Sequence, residues 1–320
     1  MKKVIAIVGG GPAGMSCALW LKNLGFCPII IEKNPQLGGL QNINPFHNTW
    51  ILGIWGRTGK NLAQELRQHL EIECISTLLD SQVQRITKGD NFKICTADYE
   101  LTAQAIVITT GQRFKGYETI KSIPGSHQLL RSPRVCFNPG AIPTTHGQVV
   151  AVVGGGDNGL GIAIRLADTA KHIHLFVRSK LQGFTMNQNL ILRGVEAGKI
   201  TLHKSAIIQS FERLGEKIKI VFKESNNQER ELLFDSLCFR MGFAPNTEEI
   251  VQLFEEGGMG SLELNAGGYI ATDAFLRTPI PNVYAAGDVA NPRDPCVATA
   301  VAHGAIVARS IDEDLRSEQI

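Results

Sequence analysis

The sequence predicts an α/β fold built from two three-layer dinucleotide-binding domains, and three observations carry that prediction. The apolar run Val4-Ile5-Ala6-Ile7-Val8 leads straight into a glycine-rich turn, Gly9-Gly10-Gly11-Pro12-Ala13-Gly14. The pattern returns at Val149-Val150-Ala151-Val152-Val153, followed by Gly154-Gly155-Gly156-Asp157-Asn158-Gly159. Two further apolar runs close on a glycine as well: residues 105–111 end in Gly111, and residues 281–288 end in Gly287-Asp288. Continuous apolar runs of four or five residues are the mark of parallel strands buried on both faces.

Each turn has a chemical reading. Gly9, Gly11 and Gly14 form G-x-G-x-x-G directly after a strand, the Rossmann arrangement. The first glycine permits the tight turn, the second lets a pyrophosphate reach the backbone, and the third lets helix and strand pack closely. The phosphates then rest at the positive end of the new helix. A second strand, 28–31, ends in Glu32, placed to accept a hydrogen bond from a ribose hydroxyl. Gly9 and Gly154 lie 145 residues apart, so the repeat is a duplicated nucleotide-binding architecture and not a solenoid.

Composition narrows the class. With 320 residues the chain is long enough for two cores, and 43% apolar with 19% charged residues is ordinary for a globular protein. A net charge of +2 without a basic stripe argues against nucleic-acid binding. The apolar run after Met1-Lys2-Lys3 stops at the glycines, too short for a secretory signal, and no stretch has the length of a membrane span. A cytoplasmic protein without membrane contact is expected. The seven cysteines contain no C-x-x-C, which excludes a zinc-type spacing and a disulfide framework; no metal site is expected, and most of the thiols read as small core residues.

Taken in order, Glu32 is followed by a second glycine turn at Gly38-Gly39 and a loop holding Phe46, His47, Trp50 and Trp55. These aromatics either cover a ring system or plug the loop onto the core, and the plug is the commoner outcome for each alone. A helix is predicted over 60–70, then an antiparallel excursion through 82–86 and 92–95. From 112 to 147 prolines and glycines mark a connection. After the second turn come a helix over 160–169, a strand over 173–177, an alternating segment over 217–222 and a strand over 236–240. The chain then returns to the first domain, with a strand ending in Gly287-Asp288 and a closing helix over 297–311. An acid at such a strand end can hold the ribityl hydroxyls of a flavin.

The glycine motif with Glu32, the Thr109-Thr110-Gly111 strand end and the Val283-Tyr284-Ala285-Ala286-Gly287-Asp288 segment together resemble the low-molecular-weight thioredoxin reductase family of flavoproteins. The similarity spans the whole chain. It implies an FAD domain formed by 1–114 and 243–320, interrupted by a pyridine-nucleotide-like domain at 115–242, bound FAD and a homodimer. On that resemblance the flavin is held by Gly9, Gly11, Pro12, Ala13, Gly14, Glu32, Lys33, Gly39, Leu40, Val83, Thr110, Gly111, Gly287, Asp288, Cys296, Val297 and Ala298. The inserted domain's ligand is held by Gly154, Gly156, Asp157, Asn158, Gly159 and Arg178.

The chain departs from the family in three places. The family's C-x-x-C precedes the second glycine motif, but here Arg134-Val135-Cys136-Phe137-Asn138-Pro139-Gly140 has one cysteine. The family's H-R-R-x-x-x-R run, which clamps the NADPH 2′-phosphate, is reduced to Arg178-Ser179-Lys180. Each lost guanidinium contact removes a charge-assisted bond worth about 1.5–3 kcal/mol, which argues against NADPH. Val177 supplies no acid to favour NAD. Finally, Pro295-Cys296-Val297 replaces an Arg-Gln-Ala run at the start of the last helix. In the family that helix start faces the isoalloxazine, so Cys296 is the candidate redox thiol, with Cys136 as a candidate partner. This set of losses is similar to the cyanobacterial diflavin-linked disulfide oxidoreductases, which carry two FAD per subunit and do not depend on NADPH.

The leading expectation is therefore an FAD-dependent disulfide/dithiol oxidoreductase with two FAD per chain, exchanging electrons with a thiol/disulfide protein or a small redox protein. The alternative is an NAD(P)H-dependent reductase of a soluble carrier, of the ferredoxin/flavodoxin–NADP reductase type. Such enzymes usually carry a flavin-covering aromatic beyond the last helix, and 317–320 has none. A sensor that retained the fold without turnover is the third reading.

Overall fold

The computed structural model describes residues 2–225, 227–291 and 293–317. It divides into two compact units, Met1–Arg113 with Ala244–Ile320, and Phe114–Phe243. Each is described by itself.

The first unit begins with β1 (Val4–Val8), α1 (Pro12–Asn23), β2 (Cys27–Ile31), α2 (Gly59–Ile72) and β3 (Ser76–Leu78). Proline at the first position of α1 costs nothing, because the amide it lacks has no partner inside the helix. Thr58 starts α2 with a capping box: its hydroxyl accepts from the Asn61 amide, and the Asn61 side chain accepts from the Thr58 amide. The antiparallel excursion is β4 (Arg85–Lys88), β5 (Phe92–Cys95) and β6 (Glu100–Ala103), and β7 (Ala105–Ile108) returns to the main sheet. All four residues of β7 are buried, as its unbroken apolar sequence requires.

The chain leaves through β8 (Gln112–Phe114) into the second unit. There it forms β9 (Val135–Cys136), β10 (Val149–Val153), α3 (Asp157–Ala167), β11 (His172–Val177), α4 (Thr185–Glu196) and β12 (Ile200–Lys204). A second antiparallel excursion, β13 (Ile207–Leu214), β14 (Lys217–Lys223) and β15 (Glu229–Phe234), precedes β16 (Ser236–Phe239). β17 (Phe243–Pro245), α5 (Glu248–Glu256), β18 (Val283–Ala285) and α6 (Val297–Ser317) complete the chain.

The two parallel sheets run β18-β7-β1-β2-β3 and β12-β11-β10-β16-β9. In both, the strand before the glycine turn is central, flanked by the strand after its helix and by the strand that follows the antiparallel excursion. In the first unit the sheet separates two cores, one centred on Ile5, Ile7 and Leu21, the other on Ile106, Ile108 and Phe254. The second unit has an aromatic core of Phe176, Phe211, Phe222, Phe234 and Phe239.

Several elements differ from the sequence prediction in extent. α3 starts three residues earlier than predicted, directly from the glycine turn, and α6 continues past 311 to Ser317. Residues 318–320, part of the C-terminal stretch that carries no covering aromatic, lie outside the described residues. Among the described residues no helix is long and apolar enough to cross a membrane.

Candidate functional site: two glycine turns and a buried aspartate

The first turn is built tightly on one side and left open on the other. Gly9 has a φ of +111°, and a methyl group there would lie 2.5 Å from the Thr109 carbonyl oxygen. A methyl on Gly14 would meet the Gly9 carbonyl oxygen at 2.2 Å. Gly11, by contrast, has ordinary backbone angles and nothing within 4 Å of its Cβ position. The closed positions set the turn, and the open one leaves a cradle above the helix start. Gly39 approaches this cradle from the opposite side, its Cβ position 3.3 Å from Gly11 Cα.

Glu32, 6% exposed, fixes the turn from below. One carboxylate oxygen accepts from the Gly10 amide at 2.7 Å, and the other accepts from the Asn34 amide at 2.8 Å and its side chain at 2.6 Å. The Gly38 amide donates to the Gly10 carbonyl at 2.8 Å. Thr109 locks the neighbouring strand end by donating its hydroxyl to the Gly9 carbonyl at 2.7 Å. Thr110 and Gly111 are tied to Asn246: the Thr110 hydroxyl donates to its carbonyl at 2.8 Å, and the Asn246 amide donates to the Gly111 carbonyl at 3.0 Å.

The other strand end comes to the same place. A methyl on Gly287, φ +79°, would meet the Ala13 methyl at 2.7 Å, and one on Gly304 would meet the Ala13 carbonyl at 2.5 Å. Small residues thus draw β18, α1 and α6 together around Ala13. Asp288 follows. Its Oδ2 accepts from the Gln112 side chain at 3.1 Å, while Asp288 Oδ1 and Gln112 Oε1 are buried with no hydrogen-bond partner among the described residues. Burial pushes the Asp288 carboxyl up to about 6, against the opposing Gln112 hydrogen bond. Two adjacent buried acceptors without donors are costly unless a ligand brings hydroxyls to them. With Gly11 open, the arrangement can take a diphosphate at the helix start and a polyhydroxyl chain beside Asp288.

Cys296 is exposed at the start of α6, its carbonyl accepting from the Ala300 amide at 2.9 Å. Ala300 in turn lies 3.8 Å from the Gly287 Cβ position, so the thiol stands one helical turn from this strand end. Its sulfur is 3.4 Å from the Thr299 hydroxyl. Val297 is half-buried and Ala298 exposed. Lys33 points elsewhere, pairing with Glu249 at 3.7 Å on the surface, and Val83 is buried in the core under β1. Leu40 lies in a short 3-10 helix, Gly39–Ile43. The tryptophans correct the core-plug expectation: Trp50 is 63% and Trp55 95% exposed.

The second turn repeats the first glycine for glycine. Methyls on Gly154 and Gly159 would meet the Arg240 carbonyl at 2.2 Å and the Gly154 carbonyl at 2.1 Å, whereas Gly156 is open. The Gln182 amide donates to the Gly155 carbonyl at 2.7 Å, as Gly38 does to Gly10. What differs is the support. Val153 pairs with Phe176 as Val8 pairs with Ile31, which puts Val177 where the first turn has Glu32. Its methyl, 3.1 Å from the Gly155 Cβ position, cannot accept a hydrogen bond. Asp157 turns its carboxylate to the Phe184 amide at 2.7 Å and the Asn187 side chain at 2.8 Å. Asn158 is half-buried beside it, and Arg178 is exposed.

A family model for pyridine nucleotide-disulphide oxidoreductases matches residues 3–304. The chain belongs to that family. It is an FAD-dependent oxidoreductase with the thioredoxin reductase-like fold. The ferredoxin–NADP reductase of Limosilactobacillus fermentum is 28% identical over 291 residues, 89% of this chain and 84% of that protein. A component of the alkyl hydroperoxide reductase of Pseudomonas aeruginosa is 27% identical over 97% of this chain, but the chain spans only 58% of that protein. A crystal structure of Lactococcus lactis thioredoxin reductase superposes with a TM-score of 0.84 over 99% of this chain and all of that one, at 24% identity, which establishes likeness of fold.

Sequence reasoning missed three features. Arg240 underlies Gly154 as Thr109 underlies Gly9; the strand-end rule used for 105–111 applies equally to β16 and was its signal. Cys136 is buried with its sulfur 3.2 Å from Cys238, a neighbour with no local sequence signal. His174 and His203 share a hydrogen bond of 2.9 Å, and His203 bonds to Glu224 at 2.8 Å.

Proposed function

We propose that the chain is a disulfide/dithiol oxidoreductase that holds one FAD on the first unit and a second FAD on the inserted unit, and that it works without NADPH. The observation that carries the first site is the pair of partnerless buried acceptors on Asp288 and Gln112 beside an open Gly11. Gly11, Gly14 and the start of α1 would receive the pyrophosphate, Asp288 the ribityl hydroxyls, and Glu32 a ribose hydroxyl through its remaining lone pairs. Bound FAD supplies two-electron transfer to and from thiols. Thr110, Gly111 and Gly287 bring backbone close to the ligand, and Cys296 presents an exposed thiol at the start of α6.

Support for a second flavin comes from what the second turn keeps and lacks. It keeps the open Gly156 and the tight Gly154–Gly159 contact. It lacks an acid at Val177, and it has one exposed arginine, Arg178, in place of a phosphate clamp. A homodimer acting on a small thiol or redox protein follows from the likeness to thioredoxin reductases.

Cys296→Ser tests the thiol assignment. The variant is expected to retain its FAD and to lose reduction of the flavin by a dithiol, followed as bleaching of the flavin absorbance. Unchanged bleaching removes Cys296 from the role. The ferredoxin–NADP reductase relative favours a second reading, reduction of a soluble carrier by NAD(P)H. Rapid bleaching of the flavin by NADPH would select it.

A further inference from the structure

We infer that Cys136 and Cys238 form a redox couple of their own inside the inserted unit, a dithiol that closes to a buried disulfide on exposure to a small hydroperoxide. The inference is independent of which ligand occupies either glycine turn.

Geometry comes first. β9 and β16 pair in parallel with Cys136 directly opposite Cys238. Neighbouring strands lie about 4.8 Å apart, inside the Cα separation of about 4.4–6.8 Å that disulfides span. The sulfurs are already 3.2 Å apart, so bonding needs an approach of about 1.1 Å. Two adjacent thiols can also be mere packing, since free cysteine behaves as a small hydrophobe. The third member of the cluster argues against that. Arg240 is 5% exposed, its Nη2 lies 3.7 Å from the Cys136 sulfur, and its Nε has no partner among the described residues. A buried guanidinium calls for an anion, and the Cys136 sulfur facing its Nη2 is the group at hand.

The two thiols are unequal. The hydrogen bond shared with Cys238 and the charge of Arg240 bring Cys136 down to about 7, while Cys238 is pushed up by Cys136 and by burial. One is therefore the nucleophile and the other holds its proton, the division of labour that thiol oxidation requires. In the first step the Cys136 thiolate attacks a hydroperoxide oxygen; an S–O bond forms, the O–O bond breaks, and the alkoxide or hydroxide leaves as alcohol or water after taking a proton. In the second the Cys238 sulfur displaces hydroxide from the Cys136 sulfenic acid, giving the disulfide and water. Two thiols lose two electrons and two protons, and the hydroperoxide accepts both pairs. A small dithiol reverses the change by exchange. Burial of both sulfurs, at 1% and 0% exposure, selects a hydroperoxide over a protein disulfide as oxidant. Closing the bond takes the anion away from Arg240, whose carbonyl forms the floor under Gly154.

The test treats the FAD-loaded full-length protein with hydrogen peroxide, unfolds it in iodoacetamide and analyses the peptides by mass spectrometry. The expected result is a linked Cys136–Cys238 peptide, two fewer alkylated thiols at these positions, and full recovery of both after dithiothreitol. In Cys238→Ser, Cys136 is expected to stop at a sulfenic acid captured by dimedone. The inference fails if the untreated and treated wild-type proteins give equal alkylation of both residues while exposed Cys74 and Cys296 have been oxidised. It also fails if Cys136 proceeds to the sulfinic acid without forming the linked peptide.

Discussion

Asp288→Asn should move stability and cofactor affinity in opposite directions. In the free protein the folded state holds the Asp288 proton up to about pH 6, whereas the ordinary carboxyl loses it near 3.8. Between those values the folded chain binds more protons than the unfolded one, so stability falls as pH rises through this window and stays lower above it. A difference of about two pKa units corresponds to at most about 3 kcal/mol. The amide variant has no proton to lose. Its FAD-free form should therefore be more stable than wild type by up to that amount at pH 7, with the two curves converging near pH 4. FAD binding should weaken, because a hydrogen bond to a carboxylate exceeds one to a neutral acceptor by about 1 kcal/mol, or about fivefold in affinity. Urea unfolding of the deflavinated proteins from pH 4 to 7, and FAD release followed by fluorescence, measure both effects. Parallel stability curves combined with unchanged FAD affinity would refute the reasoning.

Gly11→Ala and Gly156→Ala place a methyl in open space at ordinary backbone angles, so each should leave the melting temperature of the ligand-free protein nearly unchanged. Under the two-flavin reading each removes one FAD, read from the absorbance of the purified variants; an unaltered flavin content in Gly11→Ala would count against the first site. Gly14→Ala should by contrast shift the turn and destabilise, since its methyl would lie 2.2 Å from a backbone oxygen. In the inserted unit, burial with the neighbouring His203, His172 and Arg230 pushes His174 down to about 4, from an ordinary value of 6.5. The unfolded chain then binds more protons between these values, so stability is lost as pH falls from 6.5 towards 4. His174→Gln should flatten that part of the curve in denaturant titrations, and an unchanged slope would show that other groups are responsible.

The parts of the fold that were legible in the sequence are those where one physical demand fixes residue type. Strands buried on both faces must be apolar, so β1, β7 and β10 stand out. A turn whose methyl would strike a carbonyl must be glycine, so both nucleotide turns stand out as well. The excursions were half-legible: β14 alternates cleanly, but β15, Glu-Arg-Glu-Leu-Leu-Phe, buries only Phe234 and reads as a solvated stretch. α4 was missed because Met186, Leu190, Leu192 and Val195 are largely exposed, so its apolar residues mark no core-facing stripe. The exposed Trp50 and Trp55 show the same limit, since residue type alone does not say whether an aromatic is covered.

The site was legible where it is local and hidden where register assembles it. Gly9 to Gly14 and Gly287-Asp288 are contiguous motifs. Cys136 and Cys238 are 102 residues apart, and only the pairing of β9 with β16 brings them together. Gln112 and Asp288 are separated by 176 residues, and no local pattern links them.

The central claim, two flavins on duplicated turns, is tested most directly by counting. FAD released from the denatured, purified protein and identified by chromatography should amount to two molecules per chain. One molecule per chain, with the Gly156→Ala variant losing none, would contradict it.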